Sequence, residues 1–442
     1  MRGLLWCMIV TVLNARCLAQ DADRTICQDE SCRCDAFTRV ICNCTKDYHE
    51  VTLRPDGAFR VPLTTTGIII NGCARVFFLS DTINHLHRLR NVELRNNRYV
   101  HLSERSLAWS SHRDHHELGF PGLRILIDNC TVNEIASHAV KGHVDDITIS
   151  NSRLRMIRPF AFSSLTGVKN IDLIGNEYEN IEIQAFKNFR TTNFNFLGGT
   201  VKHAIPSRFL SDVEITSVLR VDGVNINTIS SLAFLANSPN KLLVERNFIR
   251  NFEGDAFHVS MRGPATFRNN TIESMNKGAF LGISVQRDII TNVGLQELLF
   301  DNNTVIYVTP SSFMVNQSAV TFRMDNLNLN ITCHCDLGVI WQEMLAEQGG
   351  VIKCWYSLEN VFLSIPVFLD SRCGTFKENF WIYIVIGISI VLIIGIIVAV
   401  FIIRREKQKK NKLPIVLPDG KTYRETEFHI VVERAELLTT DL

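Results

Sequence analysis

Apolar residues recur at alternate positions in short segments along residues 67–327 of this 442-residue chain. In the clearest segment, apolar Val168, Ile171 and Leu173 are followed by Asn176. Two segments repeat this spacing, at Leu89, Val92, Leu94 and Asn97 and at Leu295, Leu298, Phe300 and Asn303. Because side chains of a strand point alternately to opposite sides, each segment predicts a short strand with one apolar face.

Shorter segments of the same form cover the whole stretch. Their terminal residues are Cys73, Asn97, Cys130, Ser152, Asn176, Gly199, Val224, Asn247, Asn270, Asn303 and Leu327. Eight of the ten steps between neighbours are 22 to 25 residues long, and apolar pairs such as Ala161-Phe162 and Ala256-Phe257 follow in the same phase. The two coincident signals predict a repeat array over residues 66–328, whose coils stack because none can bury its apolar face alone.

The terminal residue of each segment has a predicted structural role. We expect it to turn the chain and to bond the backbone of the next coil, while the Ala-Phe pairs fill the convex side. Cys73 and Cys130 occupy this position and are expected to be buried thiols rather than disulfide partners. A right-handed β-helix would also stack parallel strands, but the Ala-Phe pairs and the flanking cysteine clusters argue against it.

The first 19 residues predict a secretory signal peptide: Arg2 precedes an apolar run, and Cys17, Leu18 and Ala19 form a small-residue cleavage site. Export is supported by six Asn-x-Ser/Thr glycosylation sequons. They begin at Asn43, Asn129, Asn269, Asn302, Asn316 and Asn330. The chain has 46 basic and 45 acidic residues, so its net charge of +1 points neither to nucleic acid nor to an anionic surface.

A membrane span is predicted over residues 379–403. Residues 380–403 carry no charge, and 24 residues of helix can cross a hydrocarbon core of about 30 Å. Six basic residues follow directly and assign that side to the cytoplasm. They are Arg404, Arg405, Lys407, Lys409, Lys410 and Lys412. The pattern predicts a single-pass type I plasma-membrane protein with a cytoplasmic tail over residues 404–442.

Small residues line one face of the predicted span. Gly387, Val391, Gly395 and Ala399 share this face. Such faces can pack helix against helix, although small residues are common in membrane helices. Dimerisation through this face therefore remains open.

Two cysteine clusters flank the repeats. The first is Cys27, Cys32, Cys34, Cys42 and Cys44, and the second is Cys333, Cys335, Cys354 and Cys373. At these residues, and across roughly residues 26–374, the chain resembles the extracellular leucine-rich-repeat family with cysteine-rich N- and C-terminal flanking caps. The resemblance implies an α/β solenoid: a curved array of about 11 degenerate coils, capped over residues 20–65 and 329–378.

In that family the cap cysteines pair first with third and second with fourth. The resemblance therefore implies the disulfides Cys27–Cys34, Cys32–Cys42, Cys333–Cys354 and Cys335–Cys373. Cys44 departs from the pattern. Since eleven cysteines follow the signal peptide, at least one is unpaired or pairs between chains. A zinc site is disfavoured because an exported chain oxidises such thiols.

The family resemblance implies that an extracellular protein binds the concave strand face. The central coils present two outward columns there. The predicted contact residues are Asp172, Asn195, Arg220 and Leu243 in one column and Ile174, Leu197, Asp222 and Glu245 in the other. Ile174 and Leu197 form an apolar spot beside the acidic pair Asp222 and Glu245, as expected for an interface centre. Local repacking of degenerate coils is the alternative. No sequon lies between Asn129 and Asn269, which leaves the central coils free of glycans.

Other chemistry finds little support. A loop over residues 103–120 carries His112, His115 and His116, but no second cluster supplies metal ligands at a fixed spacing, so a solvated loop is expected. An insertion over residues 281–294 indicates no chemistry. Phosphate loops and catalytic motifs are absent from the sequence, so no enzyme activity, metal or cofactor is expected.

The tail ends in Thr440, Asp441 and Leu442, a sequence that resembles a ligand for a PDZ-domain scaffold. Glu433 followed by Leu437 and Leu438 also resembles an endocytic signal. The sequence thus predicts a cell-surface receptor or adhesion protein. A structural protein of the extracellular surface or apical matrix is one alternative, and a transmembrane regulatory subunit of a channel or receptor is another.

Overall fold

A computed structural model describes residues 24–45, 48–109, 121–373 and 380–410. These residues fall into two compact units that divide after Arg372. The first is a β-solenoid of about 13 turns. Its strands form two extended sheets, and nearly all neighbouring strands within each sheet are parallel.

The predicted strand segments stack into one face of the solenoid, which we call face A. Its strands are β2 (Arg39–Asn43), β4 (Gly67–Asn71), β6 (Asn91–Arg95), β9 (Leu123–Asp128), β14 (Asn170–Ile174), β21 (Lys241–Glu245), β24 (Ala265–Arg268), β27 (Gln296–Asp301) and β29 (Val320–Asp325). Three longer strands complete it with their C-terminal halves: β11 (Val140–Ser150), β16 (Phe186–Leu197) and β18 (Leu210–Asp222). The apolar segments predicted from the sequence therefore coincide with one strand in each coil of the solenoid.

A second parallel sheet, face B, follows the turn at the end of each face A strand. Its strands are β3 (Glu50–Leu53), β5 (Arg75–Phe78), β7 (Val100–Leu102), β10 (Thr131–Ile135), β12 (Arg153–Ile157), β15 (Glu177–Ile181), β17 (Thr200–Ile205), β19 (Asn225–Ile229), β22 (Phe248–Phe252), β25 (Thr271–Met275), β28 (Thr304–Tyr307), β30 (Leu327–Thr332), β31 (Ile352–Tyr356) and β32 (Val361–Ser364).

A third set of strands, face C, starts at or near the Ala-Phe pairs. It consists of β8 (Leu107–Trp109), β13 (Phe162–Thr166), β20 (Phe234–Asn237), β23 (Phe257–Met261), β26 (Ile283–Val285) and the N-terminal halves of β11, β16 and β18. Because these three long strands run from face C into face A, the two faces belong to one sheet. The predicted solenoid of stacked coils is confirmed, but it is a β-solenoid and not the expected α/β one: helical content is low, and strands form all three faces.

The α-helices of the first unit lie in its C-terminal third. They are α1 (Arg287–Asn292), α2 (Leu337–Ile340), α3 (Gln342–Gln348) and α4 (Ile365–Phe368). Other helical turns, of the 3-10 or π type, occur at Ile26–Gln28, Pro310–Phe313, Gly349–Val351 and Leu369–Cys373. At the N-terminal end, β1 (Cys32–Cys34) pairs antiparallel with β2. The antiparallel partners β31 and β32 close face B at the other end.

Buried side chains at the ends of the face A strands form a hydrogen-bonded ladder. Asn176 Oδ1 accepts a hydrogen bond from the backbone N–H of Ser152 at 2.9 Å, and its Nδ2 donates to the carbonyl of Ile149 at 2.7 Å. Asn97 makes the same two bonds to the coil before it, and Asn247 and Asn270 repeat them. The ladder thus serves the preceding coil, whereas bonding to the next coil was expected.

The residue before each ladder position turns the chain with a left-handed backbone. Asn96, Asn129 and Asn269 have φ near +50 to +56° there. Gly175 and Gly198 take the same place in the central coils, with φ of 64° and 62°. Asparagine and glycine tolerate this conformation better than other residues. The turn explains why Asn or Gly recurs at this position.

Stacked phenylalanines fill the column from coil to coil. Phe162 lies parallel to Phe186, with ring centroids 4.5 Å apart, and Phe234 lies parallel to Phe257 at 4.6 Å. All four side chains are at most 1% exposed. The Ala-Phe pairs are therefore core residues that lie at the start of strands. Contrary to the expectation, they do not argue against a β-helical arrangement.

The second unit contains helix α5 (Phe380–Lys410). A 28-residue stretch of it, Ile382–Lys409, contains an 18-residue window with a mean hydropathy of 3.3 and could cross a membrane by its length and composition. Because a helix rises about 1.5 Å per residue, this stretch spans about 42 Å. The basic residues Arg404, Arg405 and Lys407 continue the same helix.

Candidate functional site

The eight residues predicted for partner binding lie on four neighbouring strands of face A. Asp172, Asn195, Arg220 and Leu243 are paired partners along one column. Ile174, Leu197, Asp222 and Glu245 are paired along the next. Because parallel strands lie about 4.8 Å apart, the columns form a continuous surface. The structure brings the predicted residues together in the predicted register.

Ile174 and Leu197 form the apolar part of this surface. Ile174 is 38% exposed, and the paired Leu197 is half-buried. Among the described residues with exposed large apolar side chains, Ile174 alone belongs to a face A strand. An apolar side chain surrounded by polar neighbours is typical of an interface core with a polar rim.

The neighbouring polar side chains are held in place by one another. Asn195 Nδ2 donates to Asp172 Oδ1 at 2.8 Å, and Asn193 Nδ2 donates to Asn170 Oδ1 at 2.9 Å. Asn170 in turn donates to Asp146 at 2.9 Å. These bonds run from coil to coil, so little side-chain entropy remains to be lost when a partner binds.

Arg220 is an unpaired cation of this surface, as judged from the described residues. Within the described part of the chain, its guanidinium makes neither a hydrogen bond nor an ion pair, and its Nε is buried without a partner. A buried N–H that lacks an acceptor is costly. The unpaired guanidinium of Arg220 is therefore a candidate contact for a carboxylate, although its Nε itself faces inward.

Asp222 does not belong to an acidic binding pair, contrary to the sequence prediction. Its side chain is 9% exposed, and Arg246 Nε and Nη2 bind its two carboxylate oxygens at 3.0 and 2.5 Å. The hydrogen bond from Asp222 raises the pKa of Arg246 above its ordinary value. Glu245, half-buried on β21, is therefore the more accessible acid of this column.

Arg246 was missed because it comes from the turn and not from a strand. It has φ of 54° and stands at the position that Gly198, Gly223 and Asn269 occupy in other coils. An arginine at a position that otherwise carries glycine or asparagine is a signal that could have identified it.

A shallow depression of about 480 Å³ adjoins the N-terminal side of the surface. It is lined by Asn91, Glu93, Arg124, Ile125, Leu126, Asp146, Thr148, Asn170 and Asp172. Arg124 Nε lies 3.5 Å from Asp146 Oδ2 across its floor. Since Asp172 belongs to both features, the depression extends the candidate surface toward the earlier coils.

The sequon asparagines are all exposed: Asn43, Asn129, Asn269, Asn302, Asn316 and Asn330. Asn129, Asn269 and Asn302 occupy the same left-handed turn position in their coils and so form one edge of face A. Asn302 Nδ2 donates to Asn269 Oδ1 at 2.7 Å, and Asn129 donates likewise to Asn96 at 2.8 Å. Their glycosylation remains a prediction.

The cap disulfides follow the pairing implied by the family resemblance in three cases. They are Cys27–Cys34, Cys32–Cys42 and Cys333–Cys354. Cys335 and Cys373 are also disulfide-bonded.

The outcome for Cys73 differs from the prediction, because it forms a disulfide with Cys44. Cys44 directly follows β2, and its backbone N–H bonds Asn71 at the end of β4, which brings the two cysteines together. Cys130 is a buried free thiol, and burial raises its pKa.

Several predicted features lie outside the described residues. These are the signal peptide, the three histidines of the 103–120 loop, the endocytic sequence and the PDZ ligand Thr440, Asp441 and Leu442. At the start of that loop, Trp109 is buried, and its Nε1 donates to the carbonyl of Leu86 at 2.8 Å.

No protein-family model matches the chain, and no curated protein matches it either.

Proposed function

We propose that this chain is a single-pass type I cell-surface protein whose face A binds an extracellular protein, in a receptor or adhesion role. The observation that carries the proposal is the pairing of Ile174 with Leu197 at the centre of a fixed polar surface. A preformed surface with an exposed apolar centre suits protein recognition, because binding then costs little ordering entropy.

The membrane orientation is part of the proposal. Disulfides in the first unit are compatible with an oxidising, extracellular compartment, and helix α5 has the length and composition of a span. The basic run after residue 403 favours a cytoplasmic tail. We extend the proposal to binding of a PDZ scaffold by the tail, on the sequence of Thr440, Asp441 and Leu442 alone.

Membership of the leucine-rich-repeat family is a further part of the proposal. The asparagine ladder and the three matching cap disulfides support it. The strands of faces B and C depart from the α/β solenoid that the family resemblance implies. Binding by face A does not depend on this assignment, because it follows from the surface itself.

The decisive experiment is saturation binding of the ectodomain, residues 20–377, to cells and to itself. We expect saturable binding by the wild type and its loss in the Ile174→Asp/Leu197→Asp variant, with unchanged circular dichroism. Ile183→Asp is the matched control, since Ile183 is 55% exposed and lies outside the face A strands. Equal loss in the control would contradict a specific role for face A. Absence of saturable binding by the wild type would contradict the receptor role itself.

A further inference from the structure

The C-terminal end of the solenoid exposes apolar side chains that its own core leaves uncovered. They are Val339 at 77%, Ile340 at 53%, Leu358 at 81%, Val361 at 42% and Val367 at 53% exposure. We call these five residues the cap patch. Single exposed apolar residues are ordinary, but so many in about 30 residues suggest a contact surface.

The point where the chain leaves the solenoid lies beside part of this patch. Arg372 is the last residue of the first unit. Its guanidinium lies 5.7 Å from the ring centroid of Tyr356 and 3.8 Å from the carboxylate of Glu359. Tyr356 pairs with Val361 across the β31–β32 hairpin, whose turn contains Leu358. The hairpin end of the patch therefore adjoins the chain exit.

The remaining residues of the patch lie on helices that pack close by. Val339 and Ile340 belong to α2, in which Gly338 leaves room for Leu369: a Cβ there would lie 2.9 Å from Leu369 Cδ1. Leu369 follows α4, the helix that carries Val367. The chain runs from Val367 on α4 through Leu369, which packs against α2, to Arg372, which contacts the hairpin. Both the helical part and the hairpin part of the cap patch are thus close to the point where the chain leaves the first unit.

Covalent geometry limits how far this exit can be from a membrane. Helix α5 begins at Phe380, seven residues after Cys373. A fully extended chain spans at most about 3.6 Å per residue, so seven residues reach about 25 Å. If α5 spans the bilayer, the cap patch is held within reach of the lipid surface.

Charge indicates which lipid would be favourable. Residues 333–373 carry five acidic side chains and two basic ones, Lys353 and Arg372. This excess of acidic side chains would repel an anionic surface. The last sequon of the chain is Asn330, so no sequon interrupts the cap patch.

We propose that the cap patch rests on the zwitterionic phospholipid surface beside the span and sets the solenoid against the membrane. This inference rests on the proposed membrane anchorage. Apolar side chains such as Leu358 and Val367 would enter the headgroup region, and each buried side chain would favour the docked state.

The test is photo-crosslinking of the full chain in phosphatidylcholine nanodiscs. A benzophenone amino acid would replace Leu358 or Val367, or Leu63 as a matched control, since Leu63 is 69% exposed in the opposite cap. A fourth variant would carry the probe at Ile390 within α5. We expect lipid adducts by mass spectrometry at positions 358, 367 and 390, and none at 63.

The possible failures are distinguishable. Adducts at 390 without adducts at 358 and 367 would overturn the docking and leave the membrane anchorage intact. Loss of adducts at all three positions would overturn both. Crosslinking of 358 to a second copy of the chain, without lipid, would show a protein contact and would also overturn lipid docking. All four positions are exposed, so circular dichroism should show an unchanged fold.

Discussion

The backbone N–H of Asn270 donates a hydrogen bond to Asn303 Oδ1 at 2.8 Å, although the two residues are 33 positions apart in the chain. Asn247 is bonded to Asn270 in the same way, at 3.0 Å. At these corners the buried asparagines therefore replace the backbone partners that the turning chain cannot supply.

Removal of one ladder side chain should be costly. Asn247→Ala removes the acceptor of the Val224 N–H and a donor to the Val221 carbonyl, both buried. We expect a loss of at least about 2 kcal/mol in the free energy of unfolding, since each orphaned buried group costs about 1–3 kcal/mol. Urea unfolding of the ectodomain measures it. Asn225→Ala, at an exposed position of β19, is the control and should change little.

The ion pair at the edge of face A gives a second prediction. Arg246→Ala would leave the nearly buried Asp222 carboxylate without its cation, so the urea midpoint should fall. Adding Asp222→Asn should recover part of the loss, because the second change removes the unpaired charge. If the double variant is no more stable than Arg246→Ala alone, the destabilisation comes from the lost contacts of the Arg246 side chain and not from the unpaired charge of Asp222.

The Cys44–Cys73 disulfide gives a third prediction. Cys44→Ser/Cys73→Ser should destabilise the ectodomain by about 2–4 kcal/mol, because the bond restricts the unfolded chain. Alkylation of the unreduced wild-type ectodomain, residues 20–377, all of whose cysteines are described, should label one thiol, that of Cys130, and only after denaturation. Labelling of Cys44 or Cys73 in peptide mapping would contradict the pairing.

Acid stability should depend on Asp128. The Ser150 hydroxyl donates to its carboxylate at 2.7 Å and lowers its pKa in the folded protein. A lowered folded-state pKa adds stability above the unfolded pKa, and this stability is lost as the pH falls below about 4.

Ser150→Ala should therefore reduce stability at neutral pH and flatten its decline in acid. Urea midpoints between pH 2 and 7 measure both effects. Asp128→Asn should give the same flattening, and the two changes should not add. Additive effects would show that Ser150 acts elsewhere.

The sequence predicted the coil phase and the columns of face A because both depend on a period-two apolar pattern and a regular turn. Ile174 and Leu197 were placed correctly for that reason. Faces B and C were not predicted as strands. On face B the inward residues, such as Leu154 and Ile157, are three positions apart, a spacing that matches no regular strand.

Other errors arose where residues from different coils meet. Asp222 was assigned to the binding surface because its partner, Arg246, lies 24 residues away at a turn. Cys73 was expected to be a thiol because Cys44 belongs to the preceding coil, 29 residues earlier. Local patterns do not reveal such contacts, which depend on the register between coils.

The backward direction of the asparagine ladder has a consequence for protein synthesis. Since Asn176 and Asn247 complete the hydrogen bonds of the coil before them, a coil emerging from the ribosome stays incomplete until about one further repeat has been made. Folding must then trail translation by one coil. A chain cut between Val224 and Asn247 would lack the side chain that bonds the Val224 N–H and the Val221 carbonyl, so its last corner would stay open.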